Sequence, residues 1–253
     1  MKDTRIHRVR WYDLLIAFFG GNLLGIVLTV IAGGIALVVA MQHGFHPTVP
    51  TITAFAKKDF WFNHAALVLT DIGLVFMIWL TARWRFERPI GHFFAPVPPA
   101  TVILAALSGV ALSLAMNGGN ALLEYFHVMT FHNVDVELAL VPHTPTQIAA
   151  TLAVVALFAP FVEEYFFRGL FFTWVNGKWG ATAATLVTAI AFAVAHAHFY
   201  VHPGAQGLLY TSELFLAGIV LALWVARTGS LRTSFATHAA YNATAILFSV
   251  LLP

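Results

Sequence analysis

A chain of 253 residues that is 60% hydrophobic, 9% charged and free of cysteine cannot hide its apolar surface in a water-soluble core. With a mean hydropathy of +0.82 it falls in the polytopic membrane class, and it offers no disulfide framework, thiolate nucleophile or cysteine metal site. The net charge of +2 comes without any basic run that would hold nucleic acid.

Seven apolar segments predict membrane helices, at about 13–41, 62–82, 101–126, 147–174, 180–200, 209–227 and 234–252. The first follows Lys2, Arg5, Arg8 and Arg10, as in a signal peptide, but its apolar part is too long and no small-x-small site ends it. It reads as an uncleaved helix, with Gly21-x-x-x-Gly25 set for close helix packing. Asp71 in the second segment has no Gly-x-Gly-Asp companion and reads as polar packing. In the third, Asn117-Gly118-Gly119-Asn120 reads as an interrupted helix end, and Glu124 marks the outer limit of the span. Ten Lys and Arg residues fall on one set of alternate loops and only Lys57 and Lys58 on the other. That asymmetry predicts a cytoplasmic N-terminus and an external C-terminus. Trp11, Trp61, Trp84, Trp174 and Trp179 stand at segment ends, where interfacial anchors belong.

The fourth segment carries Glu163-Glu164-Tyr165-Phe166-Phe167-Arg168 in its middle. Each ion at the centre of a membrane helix costs about 2.5–3.5 kcal/mol, so these three must be paired, hydrated or used. Glu164 and Arg168 are four apart with the acid first, the favourable order for an intrahelical pair. Glu163, about 100° round the helix, cannot share that Arg and is left to titrate or to activate water. Pro160 removes a backbone hydrogen bond just before it. The fifth segment supplies Phe192 and His196, and the seventh supplies His238 and Asn242 on one face. A carboxylate with an imidazole can deprotonate water, and a His with an Asn can donate to an oxyanion. The set Glu163, His196 and His238 could instead hold Zn²⁺ with one open position, and the spacing leaves both options open.

Depth is a partial test. The midpoint between Glu163 and His196 falls in the turn 176–180, so an antiparallel pair brings them level. His238 fits less well: counted from Arg232 it lies about 8 Å deep, against about 22 Å for His196. Tilted or broken helices, or a short sixth segment, must close that gap.

The run Ala159-Pro160-Phe161-Val162-Glu163-Glu164-Tyr165-Phe166-Phe167-Arg168-Gly169 closely resembles the E-E-x-x-x-R motif of the CAAX-prenyl-protease type II and bacteriocin-processing (CPBP, or Abi) family. Phe192…His196 resembles its F-x-x-x-H motif and His238…Asn242 its H-x-x-x-N motif, in family order over roughly residues 145–250. The resemblance implies an all-α intramembrane endopeptidase, with Glu163 as the water-activating carboxylate assisted by His196. Glu164 and Arg168 would support it, and His238 with Asn242 would form the oxyanion site. The family is often labelled metalloprotease, while a metal-free glutamate mechanism is also proposed for it, so the expected cofactor is zinc or none. Residues 145–253 would then be the catalytic helical core and 1–130 the N-terminal membrane helices of one integral membrane domain. The implied partners are membrane lipids and a peptide or membrane-anchored protein substrate, prenylated or not. The short, loop-poor chain points to a prokaryotic cytoplasmic membrane.

Other intramembrane proteases are excluded directly, since neither His-Glu-x-x-His nor Gly-x-Ser-x-Gly occurs. The alternative expectation is a non-enzymatic membrane protein, either a peptide-binding immunity factor or a proton-coupled carrier. Against a carrier, residues 1–126 hold no second Glu-Glu or His-Asn cluster of the kind an inverted repeat would give. His198 is expected to face away from His196, and His202 to lie in a loop.

Overall fold

The computed structural model describes residues 10–86, 93–131, 141–198, 202 and 204–251, and its regular structure there is entirely helical. Lys2, Arg5, Arg8 and Arg88, which contribute to the charge asymmetry, lie outside the described residues. Helix α1 is Trp11–Gln42, α2 is Val49–Lys58, α3 is Phe60–Thr81 with a π-helical extension Ala82–Phe86, and α4 is Pro99–Tyr125. Helix α5 covers residues 145–179, α6 residues 181–195, α7 Ala205–Thr228 and α8 Leu231–Leu251.

Five stretches are long and apolar enough to cross a membrane: Trp11–Gln42, Phe60–Trp84, Pro99–Tyr125, Pro145–Ala195 and Ala205–Thr228. The fourth has 51 residues, far more than the ~20 a bilayer needs. Gly180, at φ 83° and ψ 171°, breaks it into the α5–α6 hairpin. With α8, the bundle has about seven crossings, all α-helical, as the sequence implied. Large apolar side chains such as Leu23, Val30, Ile103 and Leu216 are exposed on the outer faces, which lipid would cover.

Three local features depart from expectation. Helix α2 lies between the first two spans, started by Thr48 and Thr51, which cap each other's backbone, with Pro50 in its first turn. Helix α4 runs unbroken through Asn117–Asn120, because two glycines weaken a helix without ending it when its neighbours hold it. Trp174 is buried rather than interfacial: α5 continues to residue 179, so the end of the span moves on to Trp179, which is exposed.

Two glycine seams fix the packing. Gly21 and Gly25 of α1 lie against the backbone of Leu74 and Thr70 of α3, and Gly73 returns the fit against Gly21 and Gly25. On the other side Gly109 of α4 lies against the backbone of Thr237 of α8. Thr237 Oγ1 donates to the Ala105 carbonyl at 2.8 Å, and Trp224 Nε1 donates to Ser108 Oγ at 2.9 Å, so α4 holds α8 and α7 together.

The seam is testable with one methyl group. A Cβ on Gly109 would overlap the Thr237 backbone, whereas one on Gly118 meets nothing within 4 Å. Gly109→Ala should therefore lose about 1–3 kcal/mol from overpacking. Gly118→Ala should hold or gain up to about 1 kcal/mol from helix propensity. Thermal melting of the two purified variants in detergent measures the contrast; equal melting temperatures would disprove the seam.

Candidate active site

The site begins with a backbone defect on α5. Residues Leu152–Phe158 and Tyr165–Phe171 are π-helical, and they flank a short α-helical piece, Ala159–Glu164. The Ala159 N–H reaches the Val154 carbonyl, five residues back. In that register the Val155 carbonyl would await the N–H of residue 160, and residue 160 is proline. Asn242 fills the vacancy: its Nδ2 donates to the Val155 carbonyl at 2.8 Å. Asn242 thus ties α8 to α5 about two turns before Glu163, with its second amide hydrogen still to place.

Glu164 and Arg168 are both fully buried, with Arg168 Nη1 donating to Glu164 Oε1 at 3.0 Å. Arg168 Nη2 donates to the Gly218 carbonyl at 3.2 Å, and its guanidinium lies 4.4 Å from the centre of the Phe192 ring. Glu164 Oε1 also meets His238 Nδ1 at 3.0 Å. One carboxylate oxygen thereby takes a guanidinium and an imidazole from a different helix, while Glu164 Oε2 and Arg168 Nε are buried without a hydrogen-bond partner.

Glu163 is placed otherwise. Its side chain is 23% exposed, and Oε2 lies 3.8 Å from His196 Nε2 and 3.8 Å from His238 Nε2. At that length neither contact is a hydrogen bond, and Oε2 is a buried atom with no hydrogen-bond partner. His196 Nδ1 is 2.8 Å from the Phe192 carbonyl, which can only accept, so Nδ1 carries a proton and, in the neutral ring, Nε2 offers a lone pair. A carboxylate oxygen and an imidazole lone pair facing each other at 3.8 Å call for a shared donor. Water fits.

The structure brings Glu163, Glu164, Arg168, His196 and His238 into one cluster, and Asn242 onto α5 before Glu163. Gly180 folds α6 back on α5 and sets Glu163 level with His196. The depth gap of His238 is closed at the start of α8. Ser230 and Leu231 are buried there, with Ser230 Oγ donating to the Ala95 carbonyl at 2.7 Å and Arg232 Nε to the Phe94 carbonyl at 3.0 Å. The α7–α8 turn is therefore recessed beneath the segment before α4, and Leu231 packs near Gly169 on α5. Six residues back from Gly169 is Glu163, and seven on from Leu231 is His238, so the antiparallel helices meet at one level.

Three neighbours were not assigned from the sequence. His198 does not face away: the chain leaves helix α6 after Ala195, Ala197 takes a left-handed φ of 54°, and the His198 ring lies 9° from parallel with His196 at 6.4 Å. His202 is buried beside it, with ring centres 5.9 Å apart. Asp71 of α3, which packs against 159–164, lies within electrostatic reach of Glu163 and has a buried oxygen without a hydrogen-bond partner. A single acid in an apolar span was the signal that marked it.

Zinc can be tested against this geometry. A carboxylate and two imidazoles, each imidazole held through Nδ1, form a chemically suitable donor set. Among the described residues, however, no three His, Asp or Glu side chains are gathered closely enough to hold a metal ion.

Residues 145–244, which contain the whole cluster, match the family model described as type II CAAX prenyl endopeptidase, Rce1-like. An uncharacterized 24.3 kDa protein of Escherichia coli is 29% identical over 100 residues, which span 39% of this chain and 43% of that protein. No solved structure matches the chain. Over its site-bearing segment the chain is thus similar to the type II CAAX prenyl endopeptidases, and its apolar helices make it an integral membrane protein.

Removing one partner of the buried pair strands the other charge. Glu164→Ala and Arg168→Ala should each cost about 3–5 kcal/mol and lower the folded yield along with any activity. Size-exclusion profiles and melting curves in detergent check this; wild-type yield and melting in both variants would remove the pair from its structural role.

Proposed function

We propose that the chain is an intramembrane endopeptidase in which Glu163 activates water. The observation that carries this reading is the proximity of Glu163 Oε2 and His196 Nε2, 3.8 Å apart with no hydrogen bond to Glu163 Oε2. A water bridging the two donates one hydrogen to each and keeps its lone pair for a scissile carbonyl. Glu163 takes the proton as the new C–O bond forms, then passes it to the leaving amine nitrogen as the C–N bond breaks. The His238 ring and the second amide hydrogen of Asn242 would meet the oxyanion between those steps. Glu164 and Arg168 hold His238 in place for it. The substrate is a peptide or membrane-anchored protein, and prenyl recognition has no assigned residues here.

Charge asymmetry supports a cytoplasmic N-terminus: Arg10, Arg83, Lys178, Arg227 and Arg232 fall on one set of loops, opposite Lys57 and Lys58. The end of the bundle where α6 gives way to α7 would then face outward, in the cytoplasmic membrane of a prokaryote. Residues 145–253 would act as the catalytic core, with α1–α3 as its lateral support.

The test is Glu163→Gln. It should lower peptide cleavage by about 10²–10⁴-fold, the usual worth of a general base, while yield and melting stay at wild-type values. Cleavage of a quenched-fluorescent peptide library in detergent reads the rate. A variant that cuts as fast as wild type would end the assignment. Metal content of the purified protein, compared between wild type and His196→Ala, separates the water-only form from a zinc form; no bound metal in either is the expected outcome.

A further inference from the structure

A further intramembrane carboxylate, Glu213, takes no part in the cluster around Glu163. Glu213 lies on α7, and Asn120 of α4 donates Nδ2 to Glu213 Oε2 at 3.4 Å. Tyr241 of α8 stands within electrostatic reach of the same carboxylate, and its hydroxyl lies 3.4 Å from Met116 Sδ on α4. Asn117, one turn before Asn120, turns its amide onto Ser113 of its own helix. An amide from α4 thus bonds the acid, and a phenol from α8 stands within electrostatic reach of it. Among the described residues no Lys, Arg or His pairs with Glu213, whereas Glu164 has both a guanidinium and an imidazole.

An acid in an apolar span needs a partner, and one long amide hydrogen bond leaves most of its acceptor capacity unused. The position is also informative. Tyr241 is three residues beyond His238 and adjacent to Asn242, so the Glu213 group lies about one helical turn from the reacting centre. It lies toward the end where α4 finishes and α7 begins, the end served by Lys57 and Lys58 alone among the described Lys and Arg residues. Nothing cationic in the described protein competes for it there.

We propose that Glu213, backed by Asn120 and Tyr241, is an acidic specificity subsite that receives a lysine or arginine side chain of the peptide substrate, within a few residues of the bond cut. The proposal rests on the peptidase reading of the adjacent site. The substrate's cation supplies the charge partner that the fold omits, and a neutral residue at that position would leave the carboxylate unpaired.

Binding tests this without requiring turnover. Full-length Glu163→Ala protein in detergent is titrated with fluorescent apolar peptides in which a single lysine is moved along the sequence, each matched by a peptide with norleucine instead. At one position lysine should improve affinity by about tenfold or more, the worth of a charge-assisted hydrogen bond. Adding Glu213→Gln should abolish the lysine advantage and leave the norleucine peptide's affinity unchanged, and Glu213→Asp should keep part of the advantage. A lysine advantage at no position, or one that survives Glu213→Gln, overturns the subsite, as does an equal loss for both peptides. Cleavage by the wild type is read separately. Lysine-dependent binding without cleavage keeps the subsite and sinks the peptidase reading; cleavage without lysine preference does the reverse.

Discussion

The bundle is organised around a buried ion pair that the membrane makes obligatory. Glu164 and Arg168 have no exposed surface, so neither can recover its lost hydration from solvent. Each must find its partners inside the protein, and those partners come from different helices. Arg168 draws on the Gly218 carbonyl of α7 and the Phe192 ring of α6, while Glu164 draws on His238 of α8. Satisfying two charges on α5 therefore fixes the positions of the other three helices of the site. Packing alone would not do this between lipid-facing helices, because lipid tails compete equally well for apolar contact.

This constraint explains why two neighbouring carboxylates can behave so differently. Glu164 points along the Arg168 face and is consumed by structure. Glu163 is turned about a quarter of the helix away, into a partly open space rimmed by imidazole nitrogens. The π-helical turns before and after sharpen the separation, and the carbonyl that Pro160 would otherwise leave unmet is claimed by Asn242. A defect in one helix thereby becomes the docking point of another. Such irregular backbone is tolerated at membrane depth only where protein rather than lipid surrounds it.

Much of this was legible in the sequence. The spans follow from apolar runs, and the separation of Glu163 from the Glu164–Arg168 pair follows from helical periodicity alone. The level meeting of Glu163 and His196 follows from the glycine turn that lies midway between them. What could not be read were departures from regular helix. Counting residues from Arg232 assumed a helix that begins at the membrane surface, yet Ser230 and Leu231 are buried under Phe94 and Ala95. Extending the fifth segment past His196 assumed a helical Ala197, whose positive φ instead stacks His198 beside His196. Asp71 and Glu213 were isolated acids with no partner in the sequence pattern; what gives them meaning is their neighbours on other helices.

The polar groups are also ordered along the bundle. Towards the end where α5 runs into α6, cations predominate, with Lys178, Arg227 and Arg232 near the helix ends and Arg168 locked in the interior. Beyond Glu163, in the other direction, acceptors predominate: the Glu163 and Glu213 carboxylates and the imidazoles of His196 and His198. A field of that sense draws in groups that carry hydrogen or positive charge, and water and cationic side chains both qualify. It also opposes the approach of a carboxylate. The buried pair thus has a consequence beyond stability. By neutralising Glu164 with Arg168, it leaves Glu163 and Glu213 without a Lys or Arg partner among the described residues, and therefore receptive.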